Sequence, residues 1–298
     1  MTAEHTVSWR ELWLQTAEIV GRPQARWLCE TASGLDGDEF VAELDQPATQ
    51  RMVAHLDSML ARVRAGEPLQ YVLGHWSFRR LDLLVDRRVL IPRPETEQVV
   101  EVALRLAREL PRPLVCADLG TGSGAIGLAL ATELPLDGVT VWLTDVSTDA
   151  LDVARANAAG AGRAAANVRI ASGSWFDALP PQLRGALHVV VANPPYVAAD
   201  DPELEPIVRD WEPATALFGG IDGFEHLRVI ARSAPGWLAP NGRLVMEIGQ
   251  HQGAAVRALL MAEGLVDVEV LPDLAGRDRV VVARAGPPGT AQPKRAAT

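Results

Sequence analysis

The residues of this chain best suited to chemistry are Asn193, Pro194, Pro195 and Tyr196, which follow the apolar run 189–191 after a single alanine. Two consecutive prolines fix the backbone and remove two N–H donors, so the carbonyl groups of Asn193 and Pro194 remain available to a ligand. The Asn193 side chain adds another acceptor, and Tyr196 adds a flat ring. The tetrapeptide suits a planar group that carries an NH2, which is an amide or an exocyclic base amine. Taken alone, it is equally a turn that ends a strand.

A glycine-rich turn forms the second candidate site, between a predicted strand and a predicted helix. Its glycines permit positive φ and let a ligand approach the backbone, while the helix presents unsatisfied N–H groups. The spacing is similar to a dinucleotide fingerprint, but Asp118 precedes the first glycine. A carboxylate there would repel a pyrophosphate and attract an ammonium or sulfonium charge. The turn comprises Asp118, Gly120, Thr121, Gly122, Ser123 and Gly124.

Two further residues follow predicted strands. Asp145 ends the strand after the glycine turn and suits a ribose diol, as the corresponding acid does in nucleotide folds. Trp175 follows a third strand, where its ring can lie against an adenine. The alternatives are a helix N-cap for Asp145 and a core aromatic for Trp175. The ordered combination with the two motifs is difficult to explain by packing alone.

Composition restricts the class of protein. The 298 residues and 48% hydrophobic content suit one large domain and one smaller domain. The net charge of −10 disfavours a protein that binds bare nucleic acid. Cys29 and Cys116 form no disulfide framework, and none of the six histidines has metal-ligand spacing. With no apolar leader and no apolar run of membrane-spanning length, we expect a soluble, cytoplasmic protein.

The elements that position these residues begin with a helical region, 1–74. Its three apolar stripes start near Trp9, Trp27 and Met52, and the last of these helices ends at Gly66. We interpret this region as a substrate-recognition domain, with a lid or mere stabilisation as the alternatives. Aromatic and β-branched alternation then predicts a linking β-hairpin over 75–91.

The catalytic domain is predicted over 92–285. The segment 92–97 precedes a helix over 99–110 and supplies either capping chemistry or a wall of the ligand pocket. Strands alternating with helices predict a parallel sheet with ligands at the carboxyl ends of its strands. The segment 198–223 is predicted to be a loop over the site, and 286–298 a disordered tail. The predicted strands are 114–118, 139–144, 167–171, 187–192, 243–248, 266–271 and 279–284.

Together these motifs resemble the class I S-adenosylmethionine-dependent methyltransferases that act on amino groups. With the segment 92–97, Pro-Arg-Pro-Glu-Thr-Glu, and the helical region, the chain resembles the bacterial release-factor glutamine N5-methyltransferases of the PrmC/HemK type. The resemblance covers all but the tail. The Asn-Pro-Pro-Tyr tetrapeptide is shared with adenine-N6 DNA methyltransferases and with the glutamine methyltransferase of ribosomal protein L3, so segment 92–97 discriminates better.

The resemblance implies a class I, Rossmann-like fold: a seven-stranded, mostly parallel sheet with a small helical domain joined by a hairpin. It implies methylation of the Gly-Gly-Gln glutamine of class I peptide chain release factors, which modulates translation termination. We expect a monomer that uses no metal, membrane or direct nucleic-acid contact. The cofactor would be S-adenosylmethionine, leaving S-adenosylhomocysteine, and its implied ligands are Asp118, Gly120, Thr121, Gly122, Ser123, Gly124, Asp145, Trp175 and Asn193.

The substrate glutamine would be held by Asn193, Pro194, Pro195 and Tyr196, with Asn193, Pro194 and Tyr196 as the catalytic residues. Our hypothesis is that Asn193 Oδ1 and the Pro194 carbonyl accept the two amide hydrogens while Tyr196 packs on the amide plane. Positioning of this kind supplies up to roughly 7–11 kcal/mol, so no strong base is required. Three alternatives stay open: the ribosomal protein L3 enzyme, an amino-methyltransferase of nucleic acid, and a non-catalytic binding module.

Overall fold

The computed structural model describes residues 7–287, and the chain divides into two compact units, Met1–His75 and Trp76–Thr298. The sequence places the first boundary at residue 74. Most of the predicted tail, from residue 288 onward, lies outside the described residues.

The first unit is helical, as predicted. Helix α1 begins with a capping box, in which the Ser8 side chain accepts from the Glu11 N–H and Glu11 accepts from the Ser8 N–H. The core includes Phe40 and Leu56, each 1% exposed. One prediction is wrong here, because Trp27, expected on an apolar stripe, is 41% exposed. The helices are α1 (Trp9–Val20), α2 (Arg22–Ser33), α3 (Gly37–Ala42), α4 (Gln50–Arg64) and α5 (Leu69–Leu73).

The second unit opens with the predicted hairpin, formed by β1 (His75–Phe78) and β2 (Leu81–Leu84). Helix α6 (Pro94–Arg108) follows and begins five residues earlier than the sequence pattern predicts. The early start has a local cause. Pro94 occupies the first turn, where its missing N–H costs nothing, and Glu95 and Glu97 suit the positive end of the helix.

The seven predicted strands all form and join in one sheet of order β5-β4-β3-β6-β7-β9-β8. The first five in that order are parallel, while β9 runs antiparallel to β7 and β8. Strand β7 begins at Leu238 rather than at residue 243. The strands are β3 (Leu114–Leu119), β4 (Val139–Asp145), β5 (Val168–Ser172), β6 (Leu187–Ala192), β7 (Leu238–Glu247), β8 (Val266–Pro272) and β9 (Asp278–Arg284).

Helices cover both faces of the sheet. Leu119 belongs to the buried cluster that contains Ile230, whereas the adjacent residue Asp118 bonds to the Gly127 N–H. Successive side chains of a strand point to opposite faces, so β3 separates these two layers. The helices are α7 (Ala125–Glu133), α8 (Thr148–Gly160), α9 (Pro206–Trp211), α10 (Ala214–Leu217), α11 (Glu225–Ser233) and α12 (Gly253–Ala262).

The chain order of the sheet reverses between β3 and β6, which are neighbours. A crevice forms at such a switch point because the connections leave the two strands in opposite directions. The segment 198–223, predicted to be a loop, contains the short helices α9 and α10. The sequence did not predict these two helices, because the segment is polar and rich in proline.

Candidate active site

A cavity of about 290 Å³ lies at the carboxyl ends of β3, β4 and β6. This volume is near the lower end of the range of roughly 300–1,000 Å³ found for small-molecule sites. Eight of the twelve predicted site residues line it, whereas Asp118, Gly124, Pro194 and Tyr196 do not. The eight are Gly120, Thr121, Gly122, Ser123, Asp145, Trp175, Asn193 and Pro195.

The glycine loop, residues 120–124, forms one wall, which we call the glycine-loop wall. Gly120, Gly122 and Gly124 all have positive φ, at 71°, 54° and 88°. The N–H groups of Gly120 and Thr121 both donate to the Thr144 carbonyl, at 2.8 Å. A Cβ at Gly120 would lie 3.1 Å from the Trp175 ring. This wall is therefore held mainly by backbone conformation and backbone hydrogen bonds.

Asp118 lies beneath this wall and is fully buried. Its Oδ2 accepts from Thr121 Oγ1 at 2.5 Å and from the Gly127 N–H at 2.8 Å. Its Oδ1 has no hydrogen-bond partner within residues 7–287. Burial raises the pKa of Asp118 to about 7, although its two hydrogen bonds oppose the shift. The carboxylate expected to face a ligand instead holds the loop onto the first turn of α7.

Asp145 connects the loop to the turn before α8. Its Oδ2 accepts from the Gly122 N–H and its Oδ1 from the Ser147 N–H, both at 2.9 Å. The N-cap of α8 is Ser147, whose side chain accepts from the Ala150 N–H, so the N-cap alternative for Asp145 is wrong. Burial raises the pKa of Asp145, and backbone N–H donors oppose that rise. A carboxylate has about four lone-pair sites, so Asp145 can still accept from a ligand in the cavity.

Trp175 lines the cavity with an unusual backbone conformation, φ 48°. Bulky residues rarely adopt positive φ, and such strain concentrates at functional sites. The ring centroid lies 5.3 Å from that of His226, which lines the same cavity. Phe176, 2% exposed, is the aromatic that enters the core. Trp175 is half-buried and also packs against the same core cluster, so it contributes to the core as well as to the cavity wall.

A second wall, which we call the asparagine wall, is formed by Asn193 and Thr96. Asn193 Nδ2 donates to Thr96 Oγ1 at 3.3 Å, and Thr96 Oγ1 donates to Glu247 Oε2 at 2.7 Å. The Tyr196 hydroxyl donates to Glu247 Oε1 at 3.0 Å and receives a bond from Arg279 at 3.3 Å. Tyr196 thus supports the wall from behind, instead of presenting its ring to the cavity.

The electrostatics behind the asparagine wall centre on Glu247, which is 1% exposed. Burial raises its pKa, while its bond from Thr96 and the nearby Arg279 oppose the rise. Burial, together with the Glu247 charge, raises the pKa of Tyr196, so the phenol keeps its proton. Sequence reasoning missed Thr96, Glu247 and Arg279 as site residues. One signal was available for Glu247, because it is an acid near the carboxyl end of a predicted strand.

Two further segments enclose the cavity. Pro92 and Arg93 line it, in agreement with the expectation that 92–97 walls a pocket. Pro213 lines it from the segment 198–223. The adjacent Glu212 is buried and accepts from the Ile91 N–H at 3.1 Å and from the Arg93 guanidinium. This ion pair fastens the two segments together.

Between residues 7 and 287, no three His, Cys, Asp or Glu side chains are grouped as they would be around a metal ion. Over the same part of the chain, no helix combines the length and apolar character needed to span a membrane.

Comparisons with known proteins agree with this geometry. The family model described as the PrmC N-terminal domain matches residues 14–74, and the methyltransferase small domain matches residues 103–209. A release factor glutamine methyltransferase of Xylella fastidiosa is 42% identical over 267 residues, covering 90% of this chain and 94% of that protein. One from Cereibacter sphaeroides is also 42% identical, covering 87% and 90%. A methyltransferase structure from Pyrococcus furiosus is alike in fold (TM-score 0.51, 17% identity, covering 78% of this chain and 100% of that one).

Proposed function

The chain belongs to the release factor glutamine methyltransferases, and from this premise we propose that it methylates a glutamine side chain of a class I peptide chain release factor. The methyl group comes from S-adenosylmethionine and is transferred to the amide nitrogen, N5, of the Gly-Gly-Gln glutamine. The observation that carries the proposal is that Asn193, whose side-chain oxygen can accept from an amide, lines the same cavity as the glycine loop and Asp145. The relatives favour this substrate over ribosomal protein L3 or nucleic acid.

The residues of the glycine-loop wall suit the cofactor. A Cβ at Gly120 would press on the Trp175 ring. Glycine at this position therefore keeps the space between the loop and the ring open. Asp145 retains acceptor capacity for a diol, and the Trp175 ring offers a face for an adenine. When bound, S-adenosylmethionine supplies a methyl group on a positively charged sulfur. Its proposed ligands are Gly120, Thr121, Gly122, Ser123, Asp145, Trp175 and Asn193, while Asp118 and Gly124 act by shaping the loop.

The asparagine wall would hold the substrate. An amide nitrogen is a weak nucleophile because its lone pair is delocalised into the carbonyl group. Asn193 Oδ1 and the Pro194 carbonyl accept its two hydrogens, which localises electron density on nitrogen and fixes its direction. Such positioning lowers a barrier by up to roughly 7–11 kcal/mol. The methylated amide is strongly acidic and loses its proton to water or to a carbonyl oxygen, so none of the six histidines is required as a base.

The first unit is proposed to recognise the protein substrate, which the match of its residues to a PrmC N-terminal domain supports. The enzyme would act as a monomer in the cytoplasm, where release factors work.

The experiment that tests the function uses labelled S-adenosylmethionine and a purified class I release factor. A release factor whose Gly-Gly-Gln glutamine is replaced serves as the control. Label on the first protein and none on the second is the expected result. Label on ribosomal protein L3 or on nucleic acid, with none on the release factor, would contradict the proposed substrate.

A further inference from the structure

A directional chain of hydrogen bonds runs from the cavity into the protein interior. It joins Asn193, Thr96, Glu247 and Tyr196 through the contacts at 3.3, 2.7 and 3.0 Å. Thr96 is 4% exposed and Glu247 is 1% exposed, so both lie almost beyond the reach of solvent. In such surroundings paired donors and acceptors are favoured, since a buried polar group without a partner costs about 1–3 kcal/mol.

The donors and acceptors in this series of hydrogen bonds allow a single arrangement. An ionised carboxylate only accepts, and Glu247 receives one O–H at each of its oxygens. The Thr96 hydroxyl has one proton, which goes to Glu247, so toward Asn193 its oxygen can only accept. Of the two ends of the Asn193 amide, only the NH2 can donate. The charge of Glu247 thereby dictates, through Thr96, which end of the amide faces Thr96.

We infer that Thr96 and Glu247 are positioning residues, which orient the Asn193 side chain so that Oδ1 faces the substrate. This inference rests on the proposed function. The substrate amide presents its own NH2. An inverted Asn193 would place its NH2 against that NH2, and two donors form no hydrogen bond. Neither positioning residue touches the reacting nitrogen, since both act through the orientation of Asn193.

At the interior end of these hydrogen bonds, two further groups surround Glu247. The Tyr196 hydroxyl bonds to Oε1, and Arg279 donates to Tyr196 and to the Ile248 carbonyl. Glu247 also bonds to a residue in the first turn of α6, where the helix dipole favours negative charge. Thr96, Arg279 and Tyr196 therefore oppose the rise that burial causes in the pKa of Glu247.

The kinetic test compares Thr96→Val, Thr96→Ser and Glu247→Gln in the full-length protein. Valine keeps the shape and removes the hydroxyl, whereas serine restores the hydroxyl. Glutamine can donate to the Thr96 oxygen, which frees the hydroxyl proton to bond to Asn193 Oδ1 and favours the inverted amide. We expect kcat to fall about 10- to 100-fold for Thr96→Val and Glu247→Gln, and to stay within threefold for Thr96→Ser. The KM for the release factor and the Kd for S-adenosylmethionine should change by less than threefold.

The matched control is Thr132→Val. Thr132 also donates its hydroxyl proton, to the Leu128 carbonyl at 2.8 Å within α7, and it does not line the cavity. Its replacement should leave kcat within twofold of wild type. A fall in kcat for Thr96→Ser equal to that for Thr96→Val, or a weaker Kd in every variant, would indicate a merely structural role and overturn the inference.

A second readout does not depend on activity. The chain has four asparagines, Asn157, Asn167, Asn193 and Asn241, so 15N-asparagine labelling yields four side-chain NH2 signals. The Asn193 signal is assigned by its loss in Asn193→Asp. Thr96→Val and Glu247→Gln should shift this signal and speed its exchange with water while the other three stay in place. An unmoved Asn193 signal in both variants would overturn the inference.

The two readouts separate this inference from the proposed function. If the wild type methylates no release factor and the Asn193 signal shifts as expected, the orientation stands and the substrate assignment fails. If the wild type is active while both variants keep kcat within twofold, the function stands and the positioning role fails.

Discussion

The two walls of the cavity each rest on a buried carboxylate, but the two carboxylates are used differently. Asp118, beneath the glycine-loop wall, bonds to a backbone N–H and one hydroxyl, and its Oδ1 has no partner in the described part of the chain. Glu247, behind the asparagine wall, accepts a side-chain hydroxyl at each oxygen and has an arginine nearby. The glycine-loop wall is therefore held by main-chain bonds together with two carboxylates that accept from it, whereas the asparagine wall is held by bonds between side chains.

The two kinds of support determine which substitutions each wall tolerates. The glycine-loop wall depends on positive φ and on main-chain bonds such as that from Gly120 to Thr144, so it is sensitive where a Cβ is added. The asparagine wall depends on the donor and acceptor order of its side chains, so it is sensitive to single-atom changes. Cofactor affinity should follow the first wall, and turnover should follow the second.

The largest expected effect is that of Asn193→Ala on turnover. Loss of the acceptor should lower kcat by about 100- to 1,000-fold, as does the removal of one preorganised group elsewhere. The Kd for S-adenosylmethionine, measured by calorimetry, should rise by no more than about tenfold, since a neutral hydrogen bond contributes about 0.5–1.5 kcal/mol. Asn167→Ala is the control, because Asn167 ends a 3₁₀ helix, does not line the cavity and bonds to the Leu136 carbonyl. Equal losses of binding and turnover would refute the division between the walls.

The next effect concerns the pH dependence of stability and the buried Asp118. Its pKa is about 7 in the folded protein, compared with an ordinary value of 3.8. Between these values the folded state keeps a proton that the unfolded state releases, so the free energy of unfolding falls as pH rises from about 4 to about 7. Above about pH 7 both states are ionised and the contribution is constant.

Asp118→Asn removes this dependence and keeps an oxygen for Thr121 and Gly127. The variant should gain about 1–3 kcal/mol relative to wild type across that pH window, in urea unfolding without cofactor. Glu247 has both oxygens bonded, so Glu247→Gln should show less of this gain. Parallel stability curves for wild type and Asp118→Asn would contradict the assigned burial cost.

A comparable effect is expected for Asp145→Ala on cofactor affinity. Hydrogen bonds to a charged group contribute about 1.5–3 kcal/mol, which corresponds to a 10- to 150-fold rise in Kd. The control is Asp149→Ala, an exposed residue in the first turn of α8. An unchanged Kd in Asp145→Ala, measured by calorimetry, would remove Asp145 from the cofactor site.

The smallest effect is that of Gly122→Ala on stability. Gly122 has φ 54° and no atom within 4 Å of a built Cβ, so its cost is backbone strain alone, about 1–2 kcal/mol. Gly160→Ala is the matched control, since it also has open space but lies in a helix without positive φ. Equal unfolding free energies for the two variants would show that the loop conformation is not strained by a side chain.

The local sequence determined the strands of the sheet and two motifs of the site, the glycine loop and the Asn-Pro-Pro-Tyr tetrapeptide. Apolar runs of strand length specified β3, β4 and β6, because burial on both faces requires continuous apolar residues. The glycine spacing specified a loop with positive φ. The Asn-Pro-Pro-Tyr tetrapeptide specified a hydrogen-bond acceptor, the side-chain oxygen of Asn193, at the end of a strand. Each of these features depends on residues within about one turn or one strand of each other, so it is visible without the fold.

The polar contacts behind each wall depend on the tertiary structure. Thr96 and Glu247 are 151 positions apart, and Tyr196 and Glu247 are 51 positions apart. They meet because strand order places β7 beside β6 and because α6 begins early enough to bring Thr96 to the strand ends. The pleat of β3 likewise turned Asp118 under the loop. Which polar side chains meet is a matter of register and strand order, and these depend on the packing of the whole sheet.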